Sequence, residues 1–284
     1  LGAAPVRFDR RADGCMLVTA IPALGAYPRR LTERLEHWAA VAPERTLIAR
    51  RDPAAGGAWR RVSYAAMLAD VRALGQALLD RGLSAERPLV ILSANCLDQA
   101  ALTLAALHVG VPVAPVSPSY SLLAKDHAKL RHCLSLLTPG LVFASDGARF
   151  AEAIAAAVPA GVEVVVSANP PPGRAATPLD ALRATAPTAA GEAAAAAVDP
   201  DAPAKILFTS GSPGLPKGVV NTQRMICSNQ QMLLEAFPFM GEDPPVLLDW
   251  LPWHHTFGGN HNTGIALYNG GTIYMDCLLY TSRR

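Results

Sequence analysis

At 284 residues, with 51% apolar side chains, the chain is long enough for one large or two ordinary domains around a packed core. A formal charge of +2 and a charged fraction of 17% exclude a strongly basic nucleic-acid surface and an acidic tail. The most apolar region, 100–116, is interrupted by His108, Gly110, Pro112 and Pro115, so no stretch has the length of a membrane span.

From residue 44 onward, short apolar runs alternate with helical patterns. Ser63 is placed to cap a helix whose apolar face reads Tyr64, Met67, Leu68, Val71, Leu74 and Leu78, and Gly82 ends it. A buried strand at 89–92, a helix at 97–108, a strand at 111–114 and a helix at 126–137 come next. Strands at 141–143 and 162–166 then flank an alanine-rich helix. The stretch 169–203 breaks the rhythm: rich in Pro, Ala and Gly and poor in large apolar residues, it reads as a long surface connection with a short helix at best. Its alanine run at 193–197 is a helix or a spacer. The alternation resumes with a strand at 205–208, a Gly-rich loop, a helix at 222–237, and strands at 246–251 and 272–275. Mostly apolar strands separated by helices call for parallel pairing with both faces covered. The expected fold is α/β, doubly wound, with mostly parallel sheets and flanking helices.

The loop after the strand at 205–208 carries the strongest chemical signal. Thr209-Ser210-Gly211-Ser212-Pro213-Gly214-Leu215-Pro216-Lys217-Gly218 combines small residues, hydroxyls and one lysine. Glycines let backbone N–H groups approach an anion, Ser and Thr add donors, and Lys217 adds a mobile positive charge, which together suit a nucleoside triphosphate. A Walker loop is excluded because Pro216 precedes Lys217 and Gly218 follows it; a nucleophile elbow is excluded because Ser210 stands where its first glycine belongs. The competing reading is an ordinary surface turn rich in Ser, Gly and Pro. Pro213 removes one hydroxyl and one N–H from the cradle; each lost bond to a charged group costs on the order of 1.5–3 kcal/mol, about tenfold to a hundredfold in affinity.

A second segment, Asp249-Trp250-Leu251-Pro252-Trp253-His254-His255-Thr256-Phe257-Gly258-Gly259-Asn260-His261-Asn262, gathers three histidines. Imidazoles at 254, 255 and 261 raise the question of zinc. Neighbouring histidines on an extended segment point to opposite faces, and no Cys or Glu lies at ligand spacing, so a pocket wall or plain core packing is the stronger reading.

Together the two segments resemble the adenylate-forming (AMP-binding) superfamily, which includes acyl-CoA synthetases, firefly luciferase and peptide-synthetase adenylation domains. The superfamily loop has the form [ST]-[ST]-G-[ST]-T-G-x-P-K-G, from which this chain departs only at Pro213, and its Pro-x-x-His motif matches Pro252 to His255. The wider strings 249–262 and 114–122 look like feruloyl-CoA synthetase and its relatives. The resemblance implies a ligase that uses ATP and Mg²⁺ to convert a carboxylic acid to an acyl-adenylate and then passes the acyl group to coenzyme A. By the same resemblance Thr209, Ser210, Gly211, Ser212, Gly214 and Lys217 would hold the β- and γ-phosphates, and Thr209 would help bind Mg²⁺. His255 would border the acid site as the catalytic-site histidine, with Phe257, Gly258 and Gly259 shaping the acyl wall. An aromatic acid such as ferulate is the preferred substrate, a medium- or long-chain fatty acid the alternative.

The resemblance runs from about residue 30 to 276, roughly the first half of the family's length. The expected domain is therefore a partial N-terminal adenylation domain, 1–276, followed by a non-native tail at 277–284; Leu1 in place of methionine points to an incomplete front. The family's Tyr-Gly-x-Thr-Glu motif, ribose-binding aspartate, hinge and C-terminal lysine domain are not in the sequence. A competing expectation follows: a truncated fragment that binds nucleotide weakly or only folds. A phosphotransferase that makes ADP is a third reading, disfavoured by the missing Walker pair. Cys15, Cys96, Cys133, Cys227 and Cys277 are scattered without C-x-x-C spacing and read as reduced thiols of a cytoplasmic protein. The partners that the resemblance implies are small molecules, the acid, ATP and coenzyme A.

Overall fold

The computed structural model describes residues 5–52, 55–209 and 214–276; the proposed tail at 277–284 lies outside the described residues. A hairpin of two exposed strands, β1 (Val6–Arg10) and β2 (Met16–Ala20), comes first, an element the sequence pattern did not announce. Next are α1 (Thr32–Val41), β3 (Thr46–Asp52), β4 (Ala58–Ser63) and α2 (Tyr64–Asp80). Ser63 caps α2 as expected, its Oγ accepting the Ala66 N–H at 3.3 Å. Tyr64, Met67, Val71, Leu74 and Leu78 are all buried on one side of the helix.

A run of alternating elements follows: β5 (Leu89–Leu92), α3 (Leu97–His108), β6 (Val113–Val116), α4 (Pro118–Leu122), α5 (Ala128–Leu137), β7 (Leu141–Ala144), α6 (Ala151–Ala157) and β8 (Glu163–Val166). β6 begins two residues later than the apolar run at 111–114 suggested. The Val111 N–H is used to close the turn that ends α3, bonding Ala106 O at 2.9 Å, so pairing starts only after it. Along β5 the side chains alternate strictly. Leu89 and Ile91 join the cluster that contains α2 and α3, while Val90 and Leu92 join the one that contains α5 and α6. Both faces of the sheet are thereby covered, the condition for the fully apolar strand Leu-Val-Ile-Leu.

The stretch 169–203 is more ordered than its composition implies. It contains β9 (Thr177–Pro178), α7 (Leu179–Arg183) and α8 (Ala189–Ala197), with Leu179, Leu182 and Ala195 buried. Polar anchors fasten it to the core: Thr188 Oγ1 donates to Gln76 Oε1 at 2.8 Å, and Arg183 reaches Asp98 at 2.6 Å and Asp70 at 3.2 Å. Three buried apolar side chains and a few long polar ones suffice where a pattern search looks for a continuous stripe.

The final elements are β10 (Pro203–Phe208), β11 (Gly218–Thr222), α9 (Gln223–Ala236), α10 (Phe239–Glu242), β12 (Val246–Asp249), a π-helical segment (Phe257–Asn262), α11 (Thr263–Tyr268) and β13 (Thr272–Met275). The main sheet has seven strands in the order β11-β10-β6-β5-β7-β8-β9, all parallel except β11, which pairs antiparallel with β10. In that pair Pro203 faces Thr222 and Lys205 faces Asn221, so Ala204 is an extra residue, a β-bulge. The second sheet has the order β12-β13-β3-β4. α2, α3 and α11 share one apolar cluster with β3, β13 and the inner face of the main sheet, so these helices lie between the two sheets. Among the described residues no helix is long and apolar enough to cross a membrane.

Candidate functional site

β10 runs parallel to β6, so the loop it feeds emerges at the carboxyl edge of the main sheet, where open α/β sheets place ligands. Its return leg is β11, which makes the loop the tip of an antiparallel hairpin instead of a strand-to-helix turn. Thr209 and Lys217 close the base of that tip. The Thr209 N–H donates to Lys217 O at 3.0 Å, and the Lys217 N–H donates to Thr209 Oγ1 at 3.3 Å. Gly214 has φ +117°, a conformation that favours glycine, and Lys217 is exposed. From α5, His132 Nε2 donates to Pro216 O at 3.0 Å and pins the descending leg. Ser210, Gly211, Ser212 and Pro213 lie outside the described residues.

The histidine-rich segment leaves β12 through a polar knot centred on Asp249, a buried carboxylate. Asp249 Oδ2 accepts the Trp253 indole N–H at 2.9 Å, and its Oδ1 accepts from Asn262 Nδ2 at 2.8 Å and Leu251 N at 3.2 Å. Asn95, just past the carboxyl end of β5, completes the clamp: it donates to Leu251 O at 2.7 Å and accepts the Trp253 N–H at 3.0 Å. The segment is thus tied to the same edge of the main sheet as the hairpin tip.

His255 is exposed, while His254 is half-buried, its pKa lowered first by burial and then by the neighbouring His255. Phe257 stacks on His261 with ring centroids 4.6 Å apart and remains 51% exposed. Gly258 and Gly259 are buried, and their glycine identity has a packing cause. A Cβ at Gly258 would stand 2.6 Å from Pro252 O, and one at Gly259 would collide with Trp253 O. Among the described residues no group of three His, Cys, Asp or Glu side chains is arranged to hold a metal ion.

Lys205, which the sequence reading passed over as part of a strand, joins the two segments. It is 4% exposed, and burial lowers its pKa to about 8. Its Nζ donates to Gly259 O at 2.7 Å and to Asn260 Oδ1 at 3.0 Å. From the opposite strand Asn221 Oδ1 accepts from Asn260 Nδ2 at 3.0 Å. The available signal was a lysine inside an apolar strand, Ala204-Lys205-Ile206-Leu207-Phe208, which a buried strand admits only when the charge is partnered. Asp249, Asn95, Asn260 and His132 carried no comparable local signal.

Comparisons with known proteins place the chain in a family. The sequence model of the AMP-binding enzyme family matches residues 35–277. A sulfoacetate–CoA ligase of Cupriavidus necator is 32% identical over 217 residues, which is 75% of this chain and 39% of that protein. A 4-coumarate–CoA ligase-like protein of Oryza sativa subsp. japonica is 30% identical over 208 residues, 69% of this chain and 35% of that protein. The chain therefore spans less than two-fifths of the length of these two relatives. In fold it matches ATP-bound MatB from Rhodopseudomonas palustris with a TM-score of 0.68 at 24% identity, covering 87% of this chain and 44% of that one. On the extent of the sequence match and the agreement of fold, the chain belongs to the AMP-binding enzyme family.

Proposed function

We propose that the chain carries the ATP-phosphate hairpin and the acid-facing segment of a carboxylic acid:coenzyme A ligase whose acid is aromatic, with ferulate as the first compound to test. The observation that carries this reading is the junction of the two segments at one sheet edge. The strand that feeds Thr209 is hydrogen-bonded through Lys205 to the segment that carries His255. The exposed Phe257 ring, stacked on the half-buried His261, favours a flat aromatic acid over an alkyl chain, since aromatic faces add attraction beyond area burial. The two curated relatives are both named as CoA ligases, one of them 4-coumarate–CoA ligase-like.

In the proposed reaction a carboxylate oxygen attacks the α-phosphorus of ATP, the bond from that phosphorus to the bridging oxygen breaks, and pyrophosphate leaves. The coenzyme A thiolate then attacks the acyl carbon and AMP departs. The protein's work in both steps is positioning and charge stabilisation. Lys217, exposed at the hairpin base, and the hydroxyls and N–H groups of Thr209, Ser210, Gly211, Ser212 and Gly214 would hold the β- and γ-phosphates. His255, Phe257, Gly258 and Gly259 would border the acid. Thr209 Oγ1 already accepts one N–H and keeps a second lone pair, which fits an ion that takes few protein ligands and completes its shell with phosphate and water. Mg²⁺ held there would neutralise phosphate charge.

The reading is tested by incubating the chain with MgATP, ferulate and coenzyme A and measuring pyrophosphate and AMP. Lys217→Ala should weaken ATP binding about tenfold to a hundredfold. ADP as the product, or an unchanged ATP affinity in Lys217→Ala, refutes the assignment. Octanoate turned over in place of ferulate moves the substrate to the fatty acids, and ATP retention without product favours the binding-only fragment.

A further inference from the structure

We propose that Lys205 is a positioning residue that couples ATP binding at the hairpin to acid binding at the His255 segment. This inference rests on the ligase reading and deepens it. Lys205 and Asn221 face each other across the β10–β11 ladder. Lys205 stands four residues before Thr209 and Asn221 four residues after Lys217, so the pair sits at matching heights on the two arms of the hairpin. Between them they hold the Asn260 side chain by both ends, the ammonium donating to its Oδ1 and the Asn221 amide oxygen accepting from its Nδ2.

From Asn260 and Gly259 the connection reaches the acid side directly. Gly259 O accepts the Lys205 ammonium, and the Gly259 N–H donates to His255 O at 2.8 Å. Gln230 Nε2 on α9 fixes the far side through Asn260 O at 3.1 Å. A shift of either hairpin arm on phosphate binding is transmitted through these bonds to the backbone of His255, and the reverse holds by linkage.

The surroundings explain why this is a specific device and not generic packing. Lys205 borders a cavity of about 60 Å³ whose other walls include Leu31, Leu47, Met67, Trp253 and Ile273. An apolar side chain would fill that space without the desolvation cost of an ammonium. What lysine adds is a cation that reaches across the cavity edge to a backbone carbonyl of the π-helical segment.

The experiment measures MgATP affinity of the chain by calorimetry, without acid and with saturating ferulate or octanoate, whichever it retains. The wild type should bind MgATP about fivefold or more tighter with acid present, and the same factor should appear in acid affinity with ATP present. In Lys205→Met that factor should fall to about one, while affinity for ATP alone changes by less than about threefold. A double variant, Lys205→Met with Asn260→Leu, replaces both partners by apolar groups and restores packing without the bridge; it too should lack coupling. Coupling that survives in both variants, a wild type that binds both ligands independently, or one that binds ATP and neither acid overturns the inference and leaves the nucleotide assignment standing. A wild type that binds no ATP overturns the ligase reading itself, and the inference with it.

Discussion

The buried ammonium of Lys205 should leave a measurable signature in the pH dependence of stability. Burial lowers its pKa from 10.5 to about 8, so between those values the unfolded chain holds a proton that the folded chain has released. Stability therefore rises with pH across this window, and the charged form costs the folded state about 3 kcal/mol at pH 7. About 2.5 kcal/mol of that cost disappears by pH 10. The wild-type curve alone will not display it, because Cys133 and Cys227, both pushed up to about 12 by burial, act in the opposite direction above pH 9. The difference between wild type and Lys205→Met isolates the lysine. Urea unfolding, followed by near-ultraviolet circular dichroism at pH 7 and pH 10, should show wild type gaining about 2.5 kcal/mol on the variant as pH rises. Parallel curves with a constant offset would refute the account of a desolvated charge.

Two further perturbations probe the frame around the site. Asp249→Ala leaves the Trp253 indole and the Asn262 amide without their acceptor and should destabilise the fold by roughly 2–4 kcal/mol, with a shift in tryptophan emission; emission and midpoint equal to wild type would refute the knot. His108, whose pKa falls to about 4 through burial and then the Arg30 charge, is neutral when folded. Its contribution is present above pH 6.5 and is lost as pH falls toward 4, about 3 kcal/mol in all, so His108→Gln should flatten the acid limb of an unfolding series over that window.

Much of the main sheet could be read from the chain because its central strands, 89–92, 113–116 and 141–144, are short, wholly apolar and separated by helical patterns. Ser63 and Thr222 both cap where the pattern placed a helix start. β11 escaped because it starts on Gly218, the last residue of the phosphate motif, and as an edge strand it lacks the continuous apolar run of the interior strands. The order in 169–203 escaped because it depends on Gln76 and Arg183, whose partners are distant in sequence. Within the candidate site, local composition identified Thr209, Lys217 and the segment around His255. What holds these parts together, Lys205 with Asn260 and Asn95 with the backbone of Leu251 and Trp253, depends on pairs far apart in the chain, which a local pattern cannot reveal.

The bulge at Ala204 has a consequence for how much length this strand tolerates. Without Ala204, Pro203 opposite Thr222 and Lys205 opposite Asn221 form an unbroken ladder, so the Lys205 ammonium keeps its face. Side chains on a strand change sides with every residue, so a deletion between Lys205 and Thr209 instead turns Lys205 or the loop base to the wrong side. Homologous or engineered chains can vary in length beyond Thr209 or at the bulge, but the interval from Lys205 to Thr209 behaves as a fixed ruler.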